Sequence, residues 1–488
     1  MDSVTFRERP AAAFSKLGLD EAPPPSEALV HLMNRTSFGI REAELTSARS
    51  MGYARWVELQ LNPEPLDVAP LENTLAGVFP TLALSNGQLL RDYAPGSMTD
   101  FVPLGELRAA TMARQIYSPR QLFEVMVEFW NNHFSVEHTD GPVRQFKTTD
   151  DRAMRQHALG KFSELLNANA RSPAMLYYLD NFANVRTGPN ENYARELMEL
   201  HTLGVNGGYT EADVRDVARA FTGWTYTRAS NFDFAFVLTN HDSGPKQVLG
   251  TTLPAGRGIE DGQDVLNLLA NHPSTMRHVS TKLVQRFVSD QPPASLVDKV
   301  AETWRISGGD IRALLRTIFF SKEFLMAQDQ KVKRPAEFLI SALRATDATV
   351  EGQTWPRSFG NVLDTLGQLP FMWPAPNGYP DVAAYWVNTN GLLNRWNYIT
   401  AMLEGRLDRG IRVNLASLIG NARSPEQLVQ QLAQRVLRRA LTGADQAVAE
   451  QLAAAGGDVR SPLAATDLNA RALEALALLL CSPYFQYR

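Results

Sequence analysis

The sequence predicts an all-α protein, a large multi-helix domain that carries an irregular β-hairpin or lid at residues 224–256. Along most of the chain, apolar residues recur at the spacing of about 3.6 residues that is typical of amphipathic helices. Capping sequences precede several of these stretches. Residues 224–256 differ, because they are rich in aromatic, β-branched and turn-forming residues. We therefore expect helix to exceed half of all residues and strand to be confined mainly to 224–256.

Two capping boxes mark helix starts in the predicted helical body. Ser118 and Gln121 form the first, before a helix that continues to the end of the stretch LFEVMVEFWNNHF. Thr210 and Asp213 form the second, before VRDVARAFTGW, where Gly223 suits the left-handed conformation that often ends a helix. Each pattern predicts a helix with a defined first turn.

Composition is typical of a globular protein and excludes several classes of function. The chain has 488 residues, of which 44% are hydrophobic and 20% are charged, so it can bury a sizeable core. Its net charge of −4 gives no overall basic surface for nucleic acid. The single cysteine, Cys481, excludes a disulfide framework and a multi-cysteine zinc site.

The N-terminal sequence and the hydropathy pattern bear on location and domain organisation. No stretch approaches the roughly 18 apolar residues of a membrane helix, and no basic region followed by an apolar segment opens the chain. We therefore expect a soluble, cytoplasmic protein without a membrane partner. Residues 1–25 end in three prolines and predict an N-terminal arm. Residues 26–488 predict a single helical domain, with insertions at 224–256 and 369–386.

The predicted helix at residues 190–204 is the most polar in the chain. Helical spacing puts Glu191, Arg195 and Glu199 in one ladder, with Glu196 on nearly the same side. In one interpretation this ladder faces solvent and contributes a few tenths of a kcal/mol per pair. In the other, the carboxylates face a cleft, where they bind a hard cation or share a proton.

Two histidines are candidates for a site. His133 ends a helix on its apolar side, and is either a buried histidine that donates to a carbonyl or a metal ligand or base. His241 and Asp242 lie in a turn of the predicted lid, and are either functional or part of a turn cap. We expect the lid to fold back so that His241 faces Glu196.

Several long blocks of sequence carry a family resemblance: RQLFEVMVEFWNNHF, NENYARELMELHTLG, GYTEADVRDVARAFTGW, KVKRPAEFLISALRA and LGQLPFMWPAPNGYPD. From about residue 27 onwards the chain resembles the bacterial domain of unknown function 1800 family. The resemblance implies a mostly helical unit, and family members often carry export signals and occur beside a sulfatase-like protein. The family pattern includes polar positions that are occupied here by Asn132, His133, Asp180, Asn184, Asn190, Glu191, Asn192, Arg195, Glu196, Glu199, His241, Asp242 and Lys246.

The preferred functional hypothesis is an enzyme with a carboxylate and histidine pocket that catalyses metal-assisted hydrolysis. Glu191, Glu196 and Glu199 would supply acid, base or ligand groups, and Arg195 would orient them and bind substrate anions. A divalent metal ion would be held by His133, Glu196 and His241, with Asp242 orienting His241.

Two alternatives stay open. Without a metal, the same carboxylates would act as a general acid and base of the glycosidase type. The rival class is a non-catalytic helical scaffold that binds a sulfatase-like partner protein, with the aromatic segment 369–386 as its contact surface.

Overall fold

The computed structural model describes residues 25–137, 141–352 and 354–488, so the arm predicted for residues 1–25 lies, up to residue 24, outside it. Helix makes up 62% of the structure, and strand is limited to three small two-stranded sheets. The all-α prediction is confirmed. Among the residues that the structure describes, none of the helices combines the length and the apolar character that crossing a membrane requires.

The first part of the described chain is a series of helices around one central helix. They are α1 Pro25–Thr36, α2 Glu42–Met51, α3 Tyr53–Leu61, α4 Ala69–Val78, α5 Asn86–Asp92, α6 Val102–Tyr117, α7 Gln121–His133 and α8 Val143–His157. Helix α7 is buried on nearly every side, because apolar residues surround its axis: Leu122, Val125, Met126, Phe129 and Trp130. Such a helix belongs to the middle of a core.

The start of α7 differs from the prediction. Arg120, and not Ser118, is the N-cap residue, and the capping box of Ser118 with Gln121 is not formed. The Gln121 carboxamide instead accepts a hydrogen bond from the backbone of Phe38 at 2.9 Å and donates to the carbonyl of Ser118 at 2.8 Å. A contact with the loop that follows α1, far away in the sequence, therefore replaces the local cap.

The middle of the chain contains α9 Phe162–Ala170, α10 Pro173–Tyr178, α11 Asn192–Glu196 and α12 Glu211–Ala220. Between α11 and α12, residues Leu197–Thr202 form a π-helical turn, so the helix predicted at 190–204 changes its winding halfway. The capping box of Thr210 and Asp213 is confirmed. Gly223 has a φ of 80°, as predicted for the end of this region.

Residues 224–256 form two antiparallel hairpins, as the composition of this segment predicts. In the first, β1 Trp224–Tyr226 pairs with β2 Phe234–Phe236, and in the second, β3 Lys246–Val248 pairs with β4 Thr251–Leu253. A third pair, β5 Thr349–Val350 with β6 Ile411–Arg412, lies outside this segment. Strand is therefore mainly, but not wholly, in the predicted place.

The remaining chain returns to helix: α13 Glu260–Ala270, α14 Pro273–Phe287, α15 Ala294–Ser307, α16 Ile311–Phe319, α17 Lys322–Leu325, α18 Pro335–Ala345, α19 Trp355–Thr365, α20 Ala383–Trp386, α21 Thr389–Leu403, α22 Leu415–Ile419, α23 Pro425–Val436, α24 Gly443–Ala454, α25 Ala465–Cys481 and α26 Pro483–Gln486. Buried apolar residues from Ala28 to Phe485 form one continuous cluster. The backbone of the extended segment before α18 pairs with that of the last residues. The backbone N–H of Lys333 donates to the carbonyl of Gln486 at 2.8 Å, and the backbone N–H of Arg488 donates to the carbonyl of Lys331 at 2.9 Å.

The loop between α19 and α20 is fixed to the end of α7. The Asn132 side chain accepts a hydrogen bond from the backbone of Tyr379 at 2.7 Å and donates to its carbonyl at 3.0 Å. Gly378 has a φ of 73°, and a Cβ there would lie 2.1 Å from the carbonyl oxygen of Asn132. Only glycine fits this close approach.

We predict that Gly378→Ala destabilises the protein more than Gly367→Ala does. Gly367 has a similar φ of 74°, but nothing lies within 4 Å of the position of a Cβ there. The control variant should lose about 1 kcal/mol of unfolding free energy through backbone strain. The Gly378 variant should lose a further 1–3 kcal/mol, roughly, through the clash with α7. Urea unfolding measures both values, and equal losses would contradict the close approach.

Candidate functional site

The Glu191–Arg195 ladder forms, but it lies at the surface. Arg195 contacts Glu191 at 3.2 Å and Glu211 at 2.7 Å. The Arg195 side chain is 36% exposed and that of Glu211 is 64% exposed. The low-dielectric pocket expected around Arg195 is therefore absent, and the interpretation of a solvent-facing ladder fits these residues.

The other two glutamates lie at the start of the π-helical turn, because Glu196 ends α11 and Glu199 lies within the turn. A π turn holds one more residue per turn than an α-helix, so it changes the direction of the side chains that follow. Glu199 lies 3.5 Å from the hydroxyl of Tyr209. Partial burial, together with the nearby Glu199 carboxylate, raises the pKa of Glu196. Glu196 therefore lies within electrostatic reach of Glu199.

His241 is buried, and its ring nitrogens face residues other than the predicted carboxylates. Its Nδ1 lies 2.8 Å from the carbonyl oxygen of Thr222, and its Nε2 lies 3.4 Å from Asp261 of α13. The carboxylate beside His241 is therefore that of the buried Asp261, which the sequence did not predict there.

The neighbours of His241 tie the second hairpin to the helical body. Asp242 accepts a hydrogen bond from Arg219 of α12 at 2.7 Å, and Lys246 contacts Asp261 at 2.6 Å. Asp242 does not orient His241 in this arrangement, because its two oxygens accept from the Arg219 guanidinium. These contacts hold β3 against α12 and α13.

The predicted metal ligands His133, Glu196 and His241 contact different parts of the structure. His133 is buried at the end of α7, and its Nε2 lies 3.0 Å from the carbonyl oxygen of His201. Burial holds the pKa of His133 well below its usual value, with a further contribution from Lys282. Within the described ranges, His, Cys, Asp and Glu side chains do not come together in any group of three or more that suits a metal ion, so His133, Glu196 and His241 do not form the predicted site.

A cleft lies elsewhere, between α7, α14, the start of α18 and the loop that follows α19. We call it the interhelical cleft. It consists of two adjoining cavities, of about 60 Å³ and about 300 Å³. Both cavities are lined by Glu128, Asn132, Arg334 and Tyr379.

Helical spacing puts the polar side chains on the cleft. Glu128 and Asn132 are four residues apart on α7, as are Lys282 and Arg286 on α14, so each pair shares one face of its helix. Arg334 is the N-cap residue of α18 and lies between them. Three helices thus direct polar groups at one space.

The smaller cavity has an apolar wall and a polar floor. Its apolar wall includes Phe38, Val127, Val136, Phe371 and Trp373. The floor rests on a buried network in which Asn131 donates to Asp151 at 2.8 Å. Lys147 donates to Asn131 at 2.9 Å and contacts Asp150 at 2.5 Å.

A buried carboxylate organises the cations of the cleft. Glu337 contacts Arg286 at 2.5 Å, Arg334 at 3.1 Å and Arg488 at 3.0 Å. Burial alone would raise the pKa of Glu337, but these guanidinium groups outweigh it and hold the pKa well below its usual range. Glu128 adds a second carboxylate, 2.8 Å from Arg334.

Some donors in this cluster have no acceptor within the described part of the chain. These are Nε and Nη2 of Arg286 and Nε of Arg334, all buried. Arg286 Nη2 lies 3.7 Å from Glu128, beyond hydrogen-bond distance. A buried donor without a partner costs about 1–3 kcal/mol. Such groups commonly mark the place of a bound ion, water or ligand.

Lys282 faces the larger cavity beside these arginines. Burial lowers the pKa of its amine to about 8, although Asp381 favours the charged form. An amine with such a pKa exchanges a proton readily near neutral pH. Tyr379 behaves differently, because burial raises the pKa of its hydroxyl and keeps it protonated.

The model of one family, described as "Protein of unknown function (DUF1800)", matches residues 31–487. The chain belongs to this family. The match includes every helix that lines the interhelical cleft of this DUF1800 chain. No curated protein and no solved structure matches it.

We predict that Glu337→Gln strongly destabilises the protein. The amide would leave three buried guanidinium groups without their common counter-charge, which costs about 3–5 kcal/mol. Glu302→Gln is the control, since Glu302 pairs with Arg305 at the surface. Urea unfolding should show a large loss of unfolding free energy for Glu337→Gln and none for Glu302→Gln. A similar stability for both would show that the cluster does not depend on Glu337.

We also predict a loss of stability in acid that depends on Asp381. Although burial opposes it, Lys331 and Arg334 lower the pKa of Asp381 to about 2. Because the folded pKa lies below the unfolded value, this carboxylate stabilises the fold above about pH 4 and stops doing so as the pH falls towards 2. The contribution is about 2 kcal/mol. The free energy of unfolding, measured by urea from pH 6 to pH 2, should decline less steeply in Asp381→Asn than in the wild-type protein.

Proposed function

We propose that the protein is an enzyme that binds an organic anion in the interhelical cleft and hydrolyses it. The observation that carries this proposal is the set of buried donors on Arg286 and Arg334 that have no acceptor in the described part of the chain. A guanidinium group offers paired N–H donors that suit a carboxylate or a phosphate. An anionic group between these arginines would supply the missing acceptors.

The two cavities suit the two parts of such a ligand. The larger cavity carries the cations and would take the charged group. The smaller cavity, with Phe371 and Trp373 in its wall, would take a compact apolar group. Ligand sites commonly combine an apolar lining with a few polar groups that fix orientation.

Lys282 is the proposed acid–base residue. Its neutral amine would take a proton from a water molecule, and the oxygen of that water would attack the carbonyl carbon of an ester or amide in the ligand. The bond to the leaving group would then break, and the proton held by Lys282 would pass to that group. Arg286 and Arg334, by binding the anionic group of the ligand, would hold its ester or amide beside Lys282.

A non-catalytic scaffold is the second candidate function, and one surface feature favours it. Large apolar side chains are exposed along and after the segment predicted as a contact surface: Met372, Tyr385, Val387, Leu393 and Trp396. Exposed apolar patches often mark protein interfaces. A stable complex with the purified sulfatase-like neighbour in size-exclusion chromatography, lost in Trp396→Ser, would support this role.

The anion site predicts a specific binding result. Benzoate should raise the melting temperature of the protein, whereas benzyl alcohol, its neutral analogue, should not. Arg286→Lys keeps a cation beside Glu337 but loses the guanidinium donors, so it should weaken benzoate binding by about tenfold or more. Equal stabilisation by benzoate and benzyl alcohol would overturn the anion site.

Catalysis is tested separately. The wild-type protein should hydrolyse 4-nitrophenyl hemisuccinate, an anionic ester, in preference to neutral 4-nitrophenyl acetate. Lys282→Met should lose this activity by about 10²-fold or more while still binding benzoate. Dialysis against EDTA should leave the rate unchanged, because the proposed steps use only side chains of the protein. Hydrolysis that survives in Lys282→Met would exclude Lys282 as the base.

A further inference from the structure

Lys333 faces a third cavity, separate from the interhelical cleft. This cavity has a volume of about 390 Å³ and lies between α1, the start of α18 and the segments around 436–440 and 484–488. Lys333 and Arg334 are adjacent, but Lys333 lines this cavity whereas Arg334 lines the cleft. Successive side chains of an extended segment point to opposite sides, which explains the division.

The ammonium group of Lys333 has an unusual environment. The residue is 7% exposed, and its Nζ lies 3.5 Å from the centre of the Phe485 ring. Among the residues that the structure describes, no oxygen atom accepts a hydrogen bond from this ammonium group. An ammonium group carries three donors, and burying it without acceptors is costly. A ligand that supplies oxygen acceptors would remove this cost.

The charges around the cavity are mostly positive. The cationic residues that line it are Arg49, Lys333, Arg438, Arg439 and Arg488, and the acidic ones are Glu27 and Asp329. Three of these cations already pair with carboxylates, Arg438 with Glu42, Arg439 with Asp329 and Arg488 with Glu337. His31 adds no charge near neutral pH, because burial lowers its pKa to about 3. Arg488 keeps its Nε without an acceptor in the described residues. The ammonium group of Lys333 and the free donor of Arg488 together favour an anion.

We propose that this cavity is a second anion-binding site, which takes a small, multiply charged oxyanion such as a phosphate monoester. Lys333 would donate to its oxygens, with Arg488 on the same wall. A phosphate group has three acceptor oxygens and nearly two negative charges, which suits the donors of Lys333 and Arg488. A polycarboxylate has the same chemistry, and the experiment separates the two.

Lys331, in the same segment, differs from Lys333 in its partners. This lysine is two residues away and is also buried, but it contacts Asp290 at 2.6 Å and Asp381 at 3.0 Å. For Lys331, burial of the charge is thus matched by carboxylates. Lys333 lacks such partners, which distinguishes a binding group from a structural one.

Isothermal titration of the full-length protein with sn-glycerol 3-phosphate, inorganic phosphate and citrate tests the site. The wild-type protein should bind the phosphate monoester, and Lys333→Met should bind it at least about tenfold more weakly. Lys333→Arg should retain binding. Lys282→Met, which changes only the cleft, should bind as the wild type does, so failure of the proposed function leaves this test intact.

Stability provides a second measurement. If Lys333 is kept for binding and not for folding, Lys333→Met should melt at the same temperature as the unliganded wild type or higher, since methionine has no donors to bury. A lower melting temperature, or unchanged binding in Lys333→Met, would overturn the proposal. Binding of citrate alone would overturn the assignment to phosphate esters, and a loss of binding in Lys282→Met would move the site to the cleft.

Discussion

The Glu337 carboxylate is the interaction on which the site depends. It brings together guanidinium groups from α14, from the start of α18 and from the last described residue, in a region closed to solvent. Like charges at such distances repel strongly in a medium of low polarity. Without a carboxylate at their centre, Arg286 and Arg334 would not remain side by side. Glu337, together with Glu128 beside Arg334, thus holds guanidinium groups that keep donors without an acceptor in the described residues.

That imbalance has a structural basis. A carboxylate has two oxygens, and here it also accepts a hydrogen bond from the backbone of Arg334 at 2.8 Å. Three guanidinium groups offer many more donors than these oxygens can accept. Some donors must then face a cavity, and the cavities lie on either side of the segment that carries Lys333 and Arg334. Because Glu337 cannot accept from every guanidinium donor, the remaining donors are available to bind anions in these cavities.

Much of the fold could be predicted from the sequence, because helix formation depends largely on local patterns. The capping box of Thr210 with Asp213 involves residues three apart, and it forms as predicted. The box of Ser118 with Gln121 fails because a distant backbone group, that of Phe38, binds the glutamine. Local patterns cannot reveal a competitor that lies far away in the sequence.

The site was largely missed for the same reason. Arg286 and Glu337 are 51 residues apart, and Arg334 and Glu128 are 206 apart. Nothing in the spacing of either pair predicts contact. The available signal was of another kind, since Glu128 and Arg286 are charges inside largely apolar helical stretches, VMVEFW and LVQRFV. The ladder of Glu191 and Arg195 is easier to recognise in the sequence, but charged side chains in such patterns are usually exposed to solvent.

The π-helical turn at Leu197–Thr202 has a consequence for how the chain tolerates changes in length. Such a turn is equivalent to one residue inserted into an α-helix, and the helix accommodates it without breaking. Removing one residue here would restore regular winding and rotate everything on one side of the turn by about 100°. His201, now buried, and Glu199, now near Tyr209, would both change direction. The extra residue therefore determines which side chains of this helix point into the core.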